Sequence, residues 1–155
     1  MKDVPIGAKG SYAMLVGPQH LASQFKDAIL PPVFATPMMV LAMENAALNA
    51  IREYLEPGES AVGTKVEVSH LAATPAGQWV RAEAEVVGSE GRHLAFRVAA
   101  FDETETIGTG THERVVVDLD RTGRRLEAKR REAREAKEAR GATVVEAPAG
   151  PSGRP

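Results

Sequence analysis

The chain has 155 residues, a formal net charge of -2 at pH 7 and no cysteine. A hydrophobic share of 43% supports one domain with a core of its own. The missing cysteines exclude disulfides, thiolate metal sites and a cysteine nucleophile. The N-terminus lacks the apolar stretch of a signal peptide, and no segment reaches the roughly 20 apolar residues of a membrane span. We therefore expect a soluble, cytoplasmic protein without a membrane partner.

The first predicted element is a strand in residues 12–16, an apolar run bounded by Gly10 and Gly17. Residues 19–30 have a mixed pattern, which fits either a short helix or a lid.

The clearest helix is predicted for residues 37–54, where apolar side chains recur at three- and four-residue steps. Thr36 suits the N-cap position, and Pro37 suits the first helical position because proline lacks only an amide that would be unpaired there. The first half of this helix is apolar nearly all round, which predicts burial on several sides.

Four strands are predicted after the helix, in residues 63–72, 79–87, 93–101 and 109–119. Apolar and polar residues alternate along them, as is typical of half-buried antiparallel strands. The connections are short enough for hairpins, so we expect a meander. One strand, a long helix and four further strands predict an α+β architecture, the hot-dog fold, in which a curled antiparallel sheet wraps around a central helix.

This hot-dog domain is predicted to span residues 1–120, and a charged segment follows it. Residues 121–140 hold nine Lys or Arg and four Glu, with charge pairs at helical spacing such as Glu127 with Arg131. They predict a solvated helical or flexible extension, and the lack of interleaved aromatic residues argues against a nucleic-acid partner. Residues 141–155 are rich in Pro, Gly and Ala and are predicted to be disordered.

Three residues from separate segments could together carry acyl-transfer chemistry: Thr36, Glu44 and His70. Histidine titrates near neutrality and suits a proton shuttle, while a hydroxyl at a helix start lies in a field that favours an oxyanion. A carboxylate in an apolar helix must be paired or have a raised pKa. Each residue also has a structural interpretation: a core histidine, a glutamate that reaches solvent or a partner's cation, and an ordinary N-cap.

Five sequence blocks carry a family resemblance: VFAT at 33–36, LEPGE at 55–59, GT at 63–64, His70 with AATP at 72–75, and IGTGTHER at 107–114. In this order, they make the chain resemble the fluoroacetyl-CoA thioesterase family of hot-dog proteins over roughly residues 5–120. The resemblance implies a homodimer, or a higher homo-oligomer, that hydrolyses an acyl-CoA at sites on the subunit interface. CoA would enter only as part of the substrate, and neither a cofactor nor a metal is expected.

The resemblance also implies residue roles. The catalytic set falls on Thr36, Glu44 and His70, and substrate-binding roles fall on Gly63, Arg114 and Phe34. Simpler interpretations stay open for two of them. Gly63 either lets a thioester approach the backbone or relieves the start of a strand. Arg114 either meets a phosphate of CoA or pairs with a strand neighbour such as Glu83.

The sequence departs from the family at the acyl pocket. The fluoroacetyl-specific enzyme has two Phe residues ahead of the Phe-Ala-Thr block, and the matching positions here are Asp27 and Leu30. Because this aromatic gate is missing, we predict a short or medium acyl group rather than fluoroacetyl.

Two other functional classes compete with a thioesterase. A hot-dog module could bind acyl-CoA without turnover, as a sensor or carrier, but such a module has no need of hydroxyl, carboxylate and imidazole together. A hydratase acting on enoyl thioesters is a third interpretation, and its usual Asp/His pairing is not evident in the sequence.

Overall fold

The computed structural model describes residues 1–141. The elements in this range are β1 (Lys9–Leu15), α1 (Ala22–Phe25), α2 (Thr36–Ile51), β2 (Glu59–His70), β3 (Trp79–Glu90), β4 (His93–Phe101), β5 (Thr106–Asp118) and α3 (Leu119–Arg140). The five strands form one antiparallel sheet in the order β1-β3-β4-β5-β2. Helix α2 packs on the face of this sheet, mainly against β1 and β3. The predicted α+β hot-dog fold is confirmed.

The core lies between α2 and the inner face of β3 and β4. Buried and less buried residues alternate along both strands, as the period-two pattern predicted. The buried strand residues are Val80, Ala82, Ala84, Val86, Leu94, Phe96, Val98 and Ala100. The helix residues in the same core are Met39, Ala42, Met43, Ala46, Ala47, Ala50 and Ile51.

The predicted four-strand meander is wrong at its first connection. Strands β3, β4 and β5 do follow one another as neighbours, but β2 pairs with β5 at the opposite edge from β1. The eight-residue link from β2 to β3 crosses the end of the sheet, where Leu71 N donates to Ile107 O and Val16 N donates to Gln78 O. A local turn signal at Thr74-Pro75-Ala76-Gly77 shows that the chain reverses, but it does not determine which strands pair.

Helix α2 starts one residue earlier than predicted. Ala35 is the N-cap residue, with φ -73° and ψ 141°, and Thr36 is the first helical residue. The amides of Met38 and Met39 both donate to the carbonyl of Ala35. The prediction of Thr36 as N-cap is therefore wrong, because its hydroxyl makes no capping bond.

One side of α2 remains open in the single chain. Leu41 is 38% exposed, although Met39 and Met43 on the same part of the helix are buried. Val62 of the edge strand β2, which lines the same cleft as Leu41, is 43% exposed, and Val66 on the same strand is 39% exposed. The predicted burial of the first half of the helix on several sides is thus only partly realised within one chain.

The chain divides into two compact units, the first spanning Met1–Leu119 and the second beginning at Asp120. In the second unit, residues 120–140 continue α3 without a buried side chain. Its ion pairs join Arg130 with Glu127 and Arg125 with Glu132, rather than Glu127 with Arg131. Nearly all of the segment predicted to be disordered, 141–155, lies outside the described residues. Within residues 1–141, no helix is long and apolar enough to cross a membrane.

Strand β1 and helix α2 are in close contact at Gly10, so adding a single methyl group there should strongly lower the stability of the fold. A Cβ on Gly10 would overlap the backbone of Ala46 and lie 2.7 Å from Ala50 Cα. Because neither backbone can yield cheaply, we expect Gly10→Ala to lower the free energy of unfolding by about 1–3 kcal/mol, measured by urea denaturation. Gly123→Ala in α3 is the control, since a Cβ there meets nothing within 4 Å. Equal urea midpoints for Gly10→Ala and the wild type would contradict this packing.

Candidate active site

The start of α2 and the end of β2 meet at a hydroxyl–imidazole pair. Thr36 Oγ1 lies 2.8 Å from His70 Nδ1. The backbone holds both partners: Phe34 N donates to Thr74 O at 2.8 Å just before the helix, and Leu71 N donates to Ile107 O just after the strand. The sequence prediction that Thr36 and His70 converge is therefore confirmed by the geometry.

His70 is half-buried, and its environment favours the neutral ring. Burial lowers the pKa of His70, and a contact with the backbone of Ala72 opposes this effect without reversing it. The other ring nitrogen, Nε2, is buried and makes no well-formed hydrogen bond to any described residue. An imidazole that is neutral near pH 7 can accept the Thr36 hydroxyl proton at Nδ1. The pair can therefore act as a hydroxyl with its general base.

A cleft of about 390 Å³ opens at this pair. Thr36 and His70 form part of its wall, the fully buried Phe34 lies in its lining, and Leu30 lines it from the segment before the helix. Asp27, the other position compared with the family's aromatic gate, instead accepts a hydrogen bond from Ile29 N at 3.0 Å within its own turn. Of the two gate positions, Leu30 is the one that faces the cleft.

Glu44 lies in a second cleft of about 400 Å³, together with Leu41, Gly63 and Arg114. Eight helical residues separate it from Thr36, a rise of about 12 Å along α2. Among the described residues, the two clefts have no lining residue in common. Within one chain the structure thus brings Thr36 to His70 and Glu44 to Gly63 and Arg114, but it does not bring Glu44 to the hydroxyl–imidazole pair.

Gly63 allows the carboxylate of Glu44 to lie against β2. A Cβ built on Gly63 would stand 2.7 Å from Glu44 Oε1 and 3.2 Å from His112 Cε1. Any larger residue would therefore push the carboxylate aside. The neighbouring bulge, which shifts the β2–β5 register between Gly63 and Lys65, sets this part of the strand apart from regular pairing.

Arg114 is a buried cation with 8% exposure. Its Nη2 donates to Ala61 O at 2.7 Å, and its Nη1 contacts His112 Nε2 at 3.2 Å and Glu44 O at 3.4 Å. Burial lowers the pKa of Arg114, and the charge of Glu44 acts in the opposite direction.

The ion pair of Arg114 with Glu83 that the sequence suggested is wrong. Strand β5 is not a neighbour of β3, and Glu83 instead contacts Arg81 at 2.6 Å.

His112 belongs to this second cluster, a place that was not predicted from the sequence. Its side chain is 1% exposed and shares the inner face of β5 with Arg114. The signal was the period-two alternation of β5, which places residues 112 and 114 on the same side. Among residues 1–141, no three His, Asp or Glu side chains are grouped so as to hold a metal ion.

The comparisons with known proteins agree on one family. The family model described as fluoroacetyl-CoA-specific thioesterase matches residues 16–120. The fluoroacetyl-CoA thioesterase of Streptantibioticus cattleyicolor is 42% identical in an alignment of 135 residues that covers 83% of this chain and 97% of that protein. A solved structure of a fluoroacetyl-CoA-specific thioesterase variant with fluoroacetate and CoA is 41% identical, covers 76% of this chain and 98% of its own, and has a TM-score of 0.72. A thioesterase superfamily member from Thermus thermophilus is 32% identical, with coverage of 90% and 99% and a TM-score of 0.76. The chain therefore belongs to the family of fluoroacetyl-CoA-specific thioesterases.

Proposed function

We propose that this protein is an acyl-CoA thioesterase that hydrolyses a short or medium acyl-CoA to the free acid and CoA, as a cytoplasmic homodimer without a metal or cofactor. The observation that carries the proposal is the 2.8 Å contact of Thr36 Oγ1 with His70 Nδ1 in an open cleft. Membership of a thioesterase family supports the same reaction.

The chemistry follows from the position of the pair. The neutral ring of His70 takes a proton from the attacking hydroxyl, whether that hydroxyl belongs to Thr36 or to a water held by it. The positive end of the dipole of the 16-residue helix α2 favours the negative charge that develops on the carbonyl oxygen. Over the reaction the carbonyl carbon gains an oxygen from water, the C–S bond breaks, and the CoA sulfur leaves with the proton.

Glu44 joins this site only if a second subunit supplies it. Strand β2 is a long edge strand whose outer side is unpaired in the single chain, and such an edge is a template for pairing with a copy of itself. Antiparallel pairing of two β2 strands sets the Gly63 half of one strand beside the His70 half of the other. The exposed Leu41, Val62 and Val66 would be covered at the same interface. Each complete site then combines Thr36 and His70 of one subunit with Glu44, Gly63 and Arg114 of the other.

The acyl preference follows from Leu30. An aliphatic side chain lines the cleft at the position where the fluoroacetyl-specific enzyme has an aromatic residue. A leucine leaves more depth than a phenylalanine and offers no ring to cover a two-carbon acyl group. The cleft therefore suits short or medium acyl chains better than fluoroacetyl alone.

Removal of the proposed acid–base groups should abolish most turnover. We expect His70→Ala and Glu44→Gln each to lower thiol release from acyl-CoA by at least about 100-fold, because each removes a positioned proton-transfer group. His93→Ala and Glu90→Gln are matched controls, since both residues are exposed in the β3–β4 hairpin. If the His70 and Glu44 variants fold and keep wild-type turnover, the catalytic roles of these residues are wrong. If the wild type binds acyl-CoA without releasing thiol, the non-catalytic acyl-CoA-binding module is favoured.

A composite site predicts complementation between two inactive variants. When His70→Ala and Glu44→Gln subunits are denatured together and refolded, half of the dimers should be mixed, and each mixed dimer keeps one intact site. Thiol release should therefore recover to about a quarter of the wild-type rate. Refolding each variant alone is the control. Recovery no greater than the sum of those controls would place each site within a single chain.

The size of residue 30 should set the acyl-chain length. We expect Leu30→Ala to shift the best substrate toward longer acyl-CoAs and Leu30→Phe to shift it toward acetyl and fluoroacetyl, with changes in kcat/KM of about 10-fold or more, the usual scale for filling or emptying an apolar pocket. The measurement is thiol release across a series from acetyl-CoA to long-chain acyl-CoA. Ile29→Ala is the control because Ile29 is 87% exposed. An unchanged length profile in both Leu30 variants would remove this residue from the acyl pocket.

A further inference from the structure

His112 sits at the centre of a buried hydrogen-bond chain, and this residue has no part in the thioester chemistry described above. Its Nδ1 lies 2.8 Å from Lys65 O on β2, and its Nε2 lies 3.2 Å from Arg114 Nη1. The ring stacks on Phe96 with 5.8 Å between centroids. Three strands therefore fix the ring in one orientation.

The two contacts determine which nitrogen carries the proton. A carbonyl oxygen can only accept, so Nδ1 must donate to Lys65 O. A guanidinium can only donate, so Nε2 must accept from Arg114. The network is satisfied by the neutral Nδ1–H tautomer and by no other state of the ring.

Arg114 depends on this acceptor because its other partners are few. The guanidinium donates to Ala61 O and Glu44 O, while its buried Nε has no hydrogen-bond partner among the described residues. A buried cation with one unpaired donor is already costly. Removing His112 would leave a second nitrogen with only the 3.4 Å contact to Glu44 O.

We infer that His112 is a positioning residue, whose Nε2 holds the guanidinium of Arg114 beside the Glu44 carboxylate and the Gly63 backbone. This inference rests on the proposed function, in which that cleft forms one half of the thioester site. His112 does not touch the substrate. It acts through Arg114, which would otherwise turn away from Glu44 and Gly63.

The arrangement makes the position of Arg114 depend on pH. The charged side chain from α2 that acts on His112 is Glu44, those from β5 are Arg114 and, from the opposite face, Glu113, and the carbonyl of Lys65 contacts the ring from β2. Burial is the largest effect on the pKa of His112 and lowers it, as does the charge of Arg114. The Lys65 carbonyl and the charges of Glu44 and Glu113 act in the opposite direction, but the pKa remains lowered. The ring is therefore neutral at pH 7. Protonation of Nε2 at acidic pH places its N–H against the N–H of Arg114 Nη1, and the guanidinium loses its contact with the ring.

A double-mutant cycle tests the inference by activity. His112→Phe keeps the ring volume against Phe96 without an acceptor, His112→Gln restores an acceptor, and Arg114→Met removes the donor. We expect kcat/KM to fall about 10-fold or more in His112→Phe and only a few-fold in His112→Gln, and we expect His112→Phe to add almost nothing in the Arg114→Met background. Full additivity of the two losses would mean that His112 has a merely structural role and would overturn the inference.

A second measurement does not depend on turnover. In the wild type, nitrogen-15 NMR of labelled histidine should show His112 as the Nδ1–H tautomer, and Arg114→Met should raise its pKa because the neighbouring positive charge is gone. An Nε2–H tautomer, or an unchanged titration in Arg114→Met, would overturn the inference even if His112→Phe failed to fold. A wild type that hydrolyses no acyl-CoA would instead overturn the proposed function, and the NMR result would still decide whether His112 holds Arg114.

Discussion

The hydrogen bond between Thr36 and His70 links the first turn of the central helix to the last residue of the edge strand. These two ends come together because the link after β2 turns across the sheet and binds the segment that enters α2, through Phe34 N and Thr74 O. The hydroxyl–imidazole pair is thus a product of the crossover connection. Had β2 and β3 formed a simple hairpin, His70 would have been carried away from the helix start.

The sequence was most informative where the signal is local. Alternation predicted the strands and the inner faces of β3 and β4, and the apolar spacing predicted the long helix. Sheet order could not be read in the same way, because pairing of β2 with β5 joins residues about fifty positions apart and leaves no local pattern. The N-cap prediction for Thr36 is wrong for a related reason. Thr before Pro fits an N-cap, but in the tertiary structure the Thr36 hydroxyl forms a hydrogen bond with His70 instead.

The candidate site was also only partly predictable. The residue types and the family resemblance indicated the Thr36, Glu44 and His70 set, but the eight-residue spacing on one helix already forbids Glu44 from meeting Thr36 in the same chain. His112 escaped attention because a histidine in a strand has no distinctive sequence context. Its importance became visible only from its two fixed contacts, to Lys65 O and to Arg114.

Each chain carries two separate clefts, one at the start of α2 and one beside Gly63, which the proposed dimer would join into complete sites. In the proposed dimer this separation ties turnover to association, because dilution would silence the enzyme without unfolding it. A substitution on the outer side of β2 could then inactivate the protein while every reactive group kept its place. Selection on this edge strand would act through the affinity of the dimer. The rate of hydrolysis per chain would also depend on the concentration of the protein in the cell.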